Sequence, residues 1–378
     1  MKKILFNNTR KSCNYTKNLE LLFADYELIR KKHFSTLCLD KLKNIYPKSE
    51  LFLTHSATGA LEMIASLINI QSGDEIIMPS FTFVSTANAF VSKGGVPVFI
   101  DINPNTLNID ETLIEQAITP KTIAIIAMHY AGHSCNMTSL KNICEKYNLF
   151  LIEDAAVGFG SYHMEEPLGS IGDFGVISFD VTKHISAVQG GLLIVNNKNF
   201  EERAYTIYHI GTNRNAFQKG EIPYYEWVDI GSKYQMNELN AAYLYEQLCQ
   251  SVEIFRLRQE LSLIYYSKLK ILEKKNQLRL MPENVVASNI HEFYIILNSS
   301  KKREELQIYL NKKNIEALFH YIPLHNTAMG LKTGRYFRAE FTEDLSNRLL
   351  RLPLHTELTI SEIEYISSSI FNFFYKYF

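Results

Sequence analysis

At 378 residues the chain is long enough to bury a substantial core, with room for one large domain and a smaller one. Apolar residues make up 46% and charged residues 21%, an ordinary globular balance. A formal net charge of −1 lacks the basic excess of nucleic-acid binders, so nucleic acid is not an expected partner. The start, Met1 to Phe6, resembles a secretory leader, but Asn7, Asn8 and Arg10 end its apolar run too early. The aromatic tail from Phe371 to Phe378 is too short to span a bilayer and reads as the packed face of a terminal helix. A cytoplasmic protein without membrane attachment is the expectation.

From about residue 50 to 195, short apolar runs alternate with helical patterns. The strand-like runs are Leu51 to Leu53, Glu75 to Met78, Val96 to Ile100, Ile123 to Met128, Leu149 to Ile152, Phe174 to Phe179 and Leu192 to Val195. Between them, sets such as Leu61, Ile64, Ala65, Ile68 and Leu140, Ile143, Cys144, Tyr147 repeat at helical spacing. This alternation predicts an α/β fold with a mainly parallel sheet covered on both faces. Residues 200 to 235 show little periodicity and read as connecting structure near the site. A helical pattern then runs from Asn237 toward Leu272, followed by a strand at Glu292 to Leu297 and a helix at Glu304 to Lys312. The expected division is a large domain over 1–245 and a smaller α+β domain over 246–378. The five cysteines, Cys13, Cys38, Cys135, Cys144 and Cys249, lack ligand spacing, so free thiols and no metal site are expected.

Several motifs fall at strand ends, where open α/β sheets keep their ligands. Ser56-Ala57-Thr58-Gly59-Ala60 lies between a strand and a helix, where free backbone N–H groups suit a phosphate; simple helix capping is the plain alternative. In Pro79 to Thr86, Phe83 is a candidate to stack on a planar ring, against the commoner fate of core phenylalanine. Asp154 follows the apolar run Leu149 to Ile152, and Lys183 ends Ser178-Phe179-Asp180-Val181-Thr182-Lys183 ahead of Gly190-Gly191. An amine able to form a Schiff base, paired with an acid for a pyridine nitrogen, is what pyridoxal phosphate requires. The alternatives are a helix cap at Asp154 and an exposed loop lysine at 183. His129 ends another strand and is expected to border the pocket. The cluster His320 to His325 reads as structural histidines or as sugar contacts.

Together these motifs resemble the DegT/DnrJ/EryC1/StrS family of pyridoxal-phosphate sugar aminotransferases, from about residue 50 to the end. Within that family, Phe81 to Phe90, Gly211 to Arg214, Phe319 to His325 and Arg348 to Leu354 are most similar to members that aminate dTDP-4-keto-6-deoxyglucose at C4. The resemblance implies a type I aminotransferase fold and a homodimer with shared active sites. It implies pyridoxal 5'-phosphate as cofactor, L-glutamate as donor and a nucleotide sugar as acceptor. Lys183 matches the covalent anchor and Asp154 the pyridinium partner. Ala57, Thr58 and Ser178 match phosphate contacts, Phe83 the stacking aromatic, and Lys233 a residue that approaches the partner subunit's phosphate. His320, His325 and Arg214 are the candidate substrate contacts. Departures from the family are Val157 for a glutamine, Gln189 for a glutamate, Lys233 for an asparagine, and a glycine-free stretch from Asp25 to Leu37 in place of a glycine-rich loop.

Overall fold

The computed structural model describes residues 2–8, 14–286 and 291–375. In chain order the strands are β1 (Glu50–Thr54), β2 (Glu75–Pro79), β3 (Val96–Ile100), β4 (Thr122–Met128), β5 (Phe150–Asp154), β6 (Tyr162–His163), β7 (Glu166–Pro167), β8 (Phe174–Ser178), β9 (Gly191–Val195), β10 (Leu278–Leu280), β11 (Phe293–Leu297), β12 (Arg335–Tyr336) and β13 (Leu349–Leu352). Eight of them form one sheet in the order β1-β9-β8-β5-β4-β2-β3-β12. From β8 to β12 every neighbouring pair is parallel. β9 runs against both β8 and β1. The expected parallel α/β sheet is present, with one reversed strand.

Burial explains why these runs are strands. In β2, Ile76 and Met78 pack on one face with Leu61, Ile64 and Ala65 of helix Ala57–Leu67. Ile77 points the other way, to Leu140, Ile143 and Cys144 of helix Met137–Tyr147. Alternate side chains thus enter two cores, and each fully buried Leu or Ile contributes about 1.5–3 kcal/mol. The helices start where side chains cap them: Ser56 accepts from the Gly59 N–H at 3.0 Å, and Asn136 from the Ser139 N–H at 3.2 Å.

The helical pattern from Asn237 is two helices, Glu238–Cys249 and Ser251–Lys274, broken at Gln250. The second carries Leu261, Tyr265, Leu269 and Leu272 into a C-terminal core built around the antiparallel sheet β10-β11-β13. Helix Ile360–Tyr375 closes this core with Phe373 and Phe374, as expected of the aromatic tail, whose last residues 376–378 lie outside the described residues. Residues 200 to 235 are less irregular than expected, with helices Glu201–Tyr208 and Arg214–Gln218.

The glycine-free N-terminal stretch is helical. Tyr15–Ala24, Tyr26–Arg30 and His33–Lys43 pack largely against helix Glu238–Cys249 and its surroundings. Lys32 precedes the third helix in a left-handed conformation and offers no side-chain cap. Buried Glu238 replaces it, accepting from the N–H groups of Phe34 (2.8 Å) and Ser35 (3.2 Å). Cys38, Cys135 and Cys144 are buried free thiols and Cys249 an exposed one; Cys13 lies outside the described residues. Among the described residues, no helix is long and apolar enough to cross a membrane.

Candidate active site

The carboxyl ends of β2, β4, β5 and β8 converge on one rim of the large sheet. Asp154 is the last residue of β5 and is almost fully buried. Its Oδ2 accepts from Thr86 Oγ1 at 2.6 Å, and its Oδ1 from the Ala156 N–H at 3.2 Å. No helix follows, so the helix-cap alternative fails. Thr86 comes from helix Val84–Val91 and also contacts Thr82 Oγ1 at 2.9 Å.

β8 ends at Ser178, and the chain then folds into a tight turn. Asp180 Oδ1 accepts from the N–H and Oγ1 of Thr182, and the Lys183 N–H donates to the Asp180 carbonyl at 2.9 Å. This turn carries the half-buried Lys183 inward. Burial lowers its pKa, which Glu292, Asp180 and Asp154 partly restore and Arg351 lowers further. The neutral amine is therefore easier to reach than in a solvated lysine. The exposed-loop alternative does not describe it.

The helix start at Ala57 lies beside this turn. Gly191 pairs with Ser178 on one side and Thr54 on the other. A Cβ on Gly191 would stand 2.4 Å from the Ala57 nitrogen, so only glycine admits the helix N-terminus this close to Ser178. Thr58 Oγ1 meets Ser85 Oγ at 2.8 Å. The result is a small cradle of hydroxyls at a helix N-terminus, suited to a phosphate. Phe83 precedes helix Val84–Val91 with 57% of its surface exposed, its ring centroid 6.4 Å from that of Tyr321. It is a platform and not core. Cradle, platform, amine and carboxylate together fit pyridoxal phosphate.

The histidines divide. His129 does not border an open pocket: it is fully enclosed, its Nε2 3.2 Å from Glu153 and its Nδ1 accepting from the Cys135 N–H. His325 spends both ring nitrogens on Ser80 (2.6 Å) and Glu343 (3.1 Å), tying β2 to helix Glu340–Arg348. His320 does come to the site. Its Nδ1 lies 3.2 Å from Tyr130 Oη and 3.3 Å from Glu292 Oε2, and burial depresses its pKa to about 3. Arg214 and Lys233 are exposed and share a basic patch with Lys32. Val157 is buried.

Sequence reasoning missed Thr86, Glu292 and Arg351. The signals were faint: a lone carboxylate opening the apolar run 293–297, and one cation inside Leu349-Leu350-Arg351-Leu352. A cleft of about 410 Å³ lined by Lys141, Asp173 and Asn196 lies at the opposite ends of the strands, remote from this chemistry.

Residues 42–371 match the DegT/DnrJ/EryC1/StrS aminotransferase family. GDP-perosamine synthase of Escherichia coli O157:H7 is 30% identical over 324 residues, 84% of each chain. The Helicobacter pylori aminotransferase PseC superposes with a TM-score of 0.90 at 23% identity, over 99% of this chain and 100% of that one. NtdA of Bacillus subtilis, solved with bound pyridoxamine phosphate, superposes at 0.85 with 25% identity, over 98% of this chain and 85% of that one. The chain belongs to the DegT/DnrJ/EryC1/StrS family: it has the type I aminotransferase fold and is a sugar aminotransferase that uses pyridoxal phosphate.

Proposed function

We propose that the protein transfers the amino group of L-glutamate to C4 of a dTDP-linked 4-keto-6-deoxyhexose, giving dTDP-4-amino-4,6-dideoxygalactose or its gluco epimer for a surface polysaccharide. The observation that carries the chemistry is the convergence of Lys183 and Asp154 on one sheet rim beside a phosphate cradle. Bound pyridoxal phosphate supplies an electron sink and a carrier for the amine. Lys183 Nζ anchors it and afterwards holds and moves the proton at the reacting carbon, for which a lowered pKa suits it. Asp154 keeps a negative charge at the ring nitrogen, and Thr86 fixes that carboxylate's orientation. Ser178, Ala57 and Thr58 bind phosphate, and Phe83 holds the ring from one face.

The choice of sugar rests on the stretches Phe81 to Phe90, Gly211 to Arg214, Phe319 to His325 and Arg348 to Leu354. His320 and Arg214 are the side chains we assign to substrate contact, with His325 acting through Ser80 and Glu343. A GDP-linked 4-keto sugar is the second reading, favoured by the similarity to GDP-perosamine synthase. Purified protein with glutamate and a panel of dTDP-, UDP- and GDP-4-keto-6-deoxy sugars separates them by relative kcat/KM. Preference for the dTDP sugar is expected; no amino sugar from any of them, despite bound cofactor, removes the substrate assignment.

We also propose a cytoplasmic homodimer. Trp227 (79% exposed), Ile230 (73%), Tyr224 and Ile210 make an uncovered apolar ribbon beside Lys233 and Arg214, and such a ribbon suits a second copy. In that dimer Lys233 lies toward the partner's phosphate. Light scattering of the purified protein tests it, with a monomer at micromolar concentration as the contrary result.

A further inference from the structure

The small sheet brings a second carboxylate toward Lys183. Glu292 immediately precedes β11, and Arg351 lies on β13, whose antiparallel pairing sets Phe293 opposite Leu352 and Tyr294 opposite Arg351. Arg351 Nη1 donates to Glu292 Oε1 at 2.6 Å, and Arg351 Nη2 to the Phe319 carbonyl at 3.1 Å. Glu292 is 5% exposed, and its Oε2 makes no hydrogen bond although His320 Nδ1 stands 3.3 Å away. The neighbouring histidines His184 and His291 meet through their Nδ1 atoms at 3.1 Å, so residues 183–184 lie against 291–292. Among the described residues no hydrogen bond is made by the half-buried Lys183 amine, so a donor and a buried carboxylate belong to the two segments that meet at His184 and His291.

We propose that Glu292 is a positioning residue for Lys183: its carboxylate holds the ammonium form of the released amine, and Arg351 tempers that hold. Burial weakens Lys183 as a base. Glu292 offsets this by stabilising the ammonium as it forms, and takes no proton itself. Its own carboxyl, which burial would raise, is held low by Arg351 and Lys183. The other charges acting on Lys183 are Asp180 in its own turn and Asp154 on β5. His184, His291 and His320 are all pushed down by burial and stay neutral, so they add no competing charge at working pH. The two members of the Glu292–Arg351 pair thus act on Lys183 with opposite signs.

The inference rests on Lys183 being the reactive lysine, and the test separates the two claims. In the full-length apoprotein, reductive methylation by formaldehyde, quantified at Lys183 by peptide mass spectrometry, gives the pH midpoint of its amine. Glu292→Gln is expected to lower that midpoint by about one unit, roughly tenfold more neutral amine at a given pH. Arg351→Met is expected to raise it, and the double variant to return toward wild type. A purely structural pair would weaken folding without moving the midpoints in opposite directions. Midpoints that stay put, or that move together, overturn the proposal. Should Glu292→Gln alone not fold, the double variant leaves no unpaired buried charge, and it and Arg351→Met carry the comparison. Borohydride trapping of pyridoxal phosphate identifies the anchor: trapping at another lysine defeats the Lys183 reading, whereas trapping at Lys183 with unmoved midpoints defeats this inference alone.

Discussion

Two surfaces face Lys183, and they are built in different ways. On the rim of the large sheet each functional group sits at the end of its own apolar run: Asp154 closes β5, Ser178 closes β8, and Ser56 opens the helix after β1. On the small sheet, Glu292 and Arg351 stand 59 residues apart and meet only because β11 and β13 pair in one register. The rim supplies the groups we assign to the cofactor. The small sheet supplies charges that tune the amine. Local pattern therefore encodes the covalent chemistry, while its electrostatics are a product of tertiary pairing.

The sharpest break in that comparison is Lys183→Met. Loss of the anchor and proton carrier is expected to reduce transamination by about 10³-fold or more. The folded protein should not suffer. Because the folded pKa lies below the unfolded one, the folded state binds fewer protons between the two, and this group's contribution to stability rises with pH. At neutral pH the buried ammonium is a cost. The apo variant should then resist urea at least as well as wild type at pH 7, with the advantage fading as pH rises toward the ordinary lysine value. A variant that is both inactive and less stable at pH 7 would mean that Lys183 is held by contacts that burial and charge do not describe.

Asp154→Asn comes next. The amide still accepts from the Ala156 N–H but presents no full charge to a ring nitrogen, and a fall in kcat of roughly 10²–10³ is expected. Thr86→Val, which removes only the orienting hydroxyl, should cost less. Equal losses in the two variants would shift the weight from charge to geometry.

How far the sequence could be read follows the same line. Seven of the eight large-sheet strands were foreseen from apolar runs, since strands buried on both faces leave continuous apolar stretches. The eighth, β12, is a two-residue strand and leaves no such trace. The break at Gln250 was missed because no glycine or proline marks it. His129 reads as a pocket residue because it follows a strand; its partner Glu153 is visible only once β4 and β5 lie side by side. His325 shows the same limit, its two ring bonds reaching Ser80 and Glu343 from opposite directions along the chain. What a residue is was legible, and whom it meets was not.

Gly191→Ala tests the rim at its phosphate end. The new Cβ would press on the Ala57 nitrogen, where neither backbone can yield easily. Overpacking of this kind costs about 1–3 kcal/mol. Displacement of the helix start from Ser178 should weaken pyridoxal phosphate binding, so that saturating cofactor restores much of the activity. A variant with normal cofactor affinity and low kcat would place the cradle elsewhere.

The smallest effect is expected farthest from the chemistry, at the N-terminal helices. Glu238→Ala removes the carboxylate that serves the N–H groups of Phe34 and Ser35 and the Ser35 hydroxyl, all buried. Lys32, left-handed and without a capping side chain, cannot replace it. Leaving buried donors unsatisfied costs about 1–3 kcal/mol, read as a lower urea midpoint with an unchanged slope. The rate of the glutamate half-reaction should hardly move, because none of these groups contacts the rim or the small sheet. A marked fall in that rate would tie the N-terminal helices to the pocket and make the division into rim and small sheet incomplete.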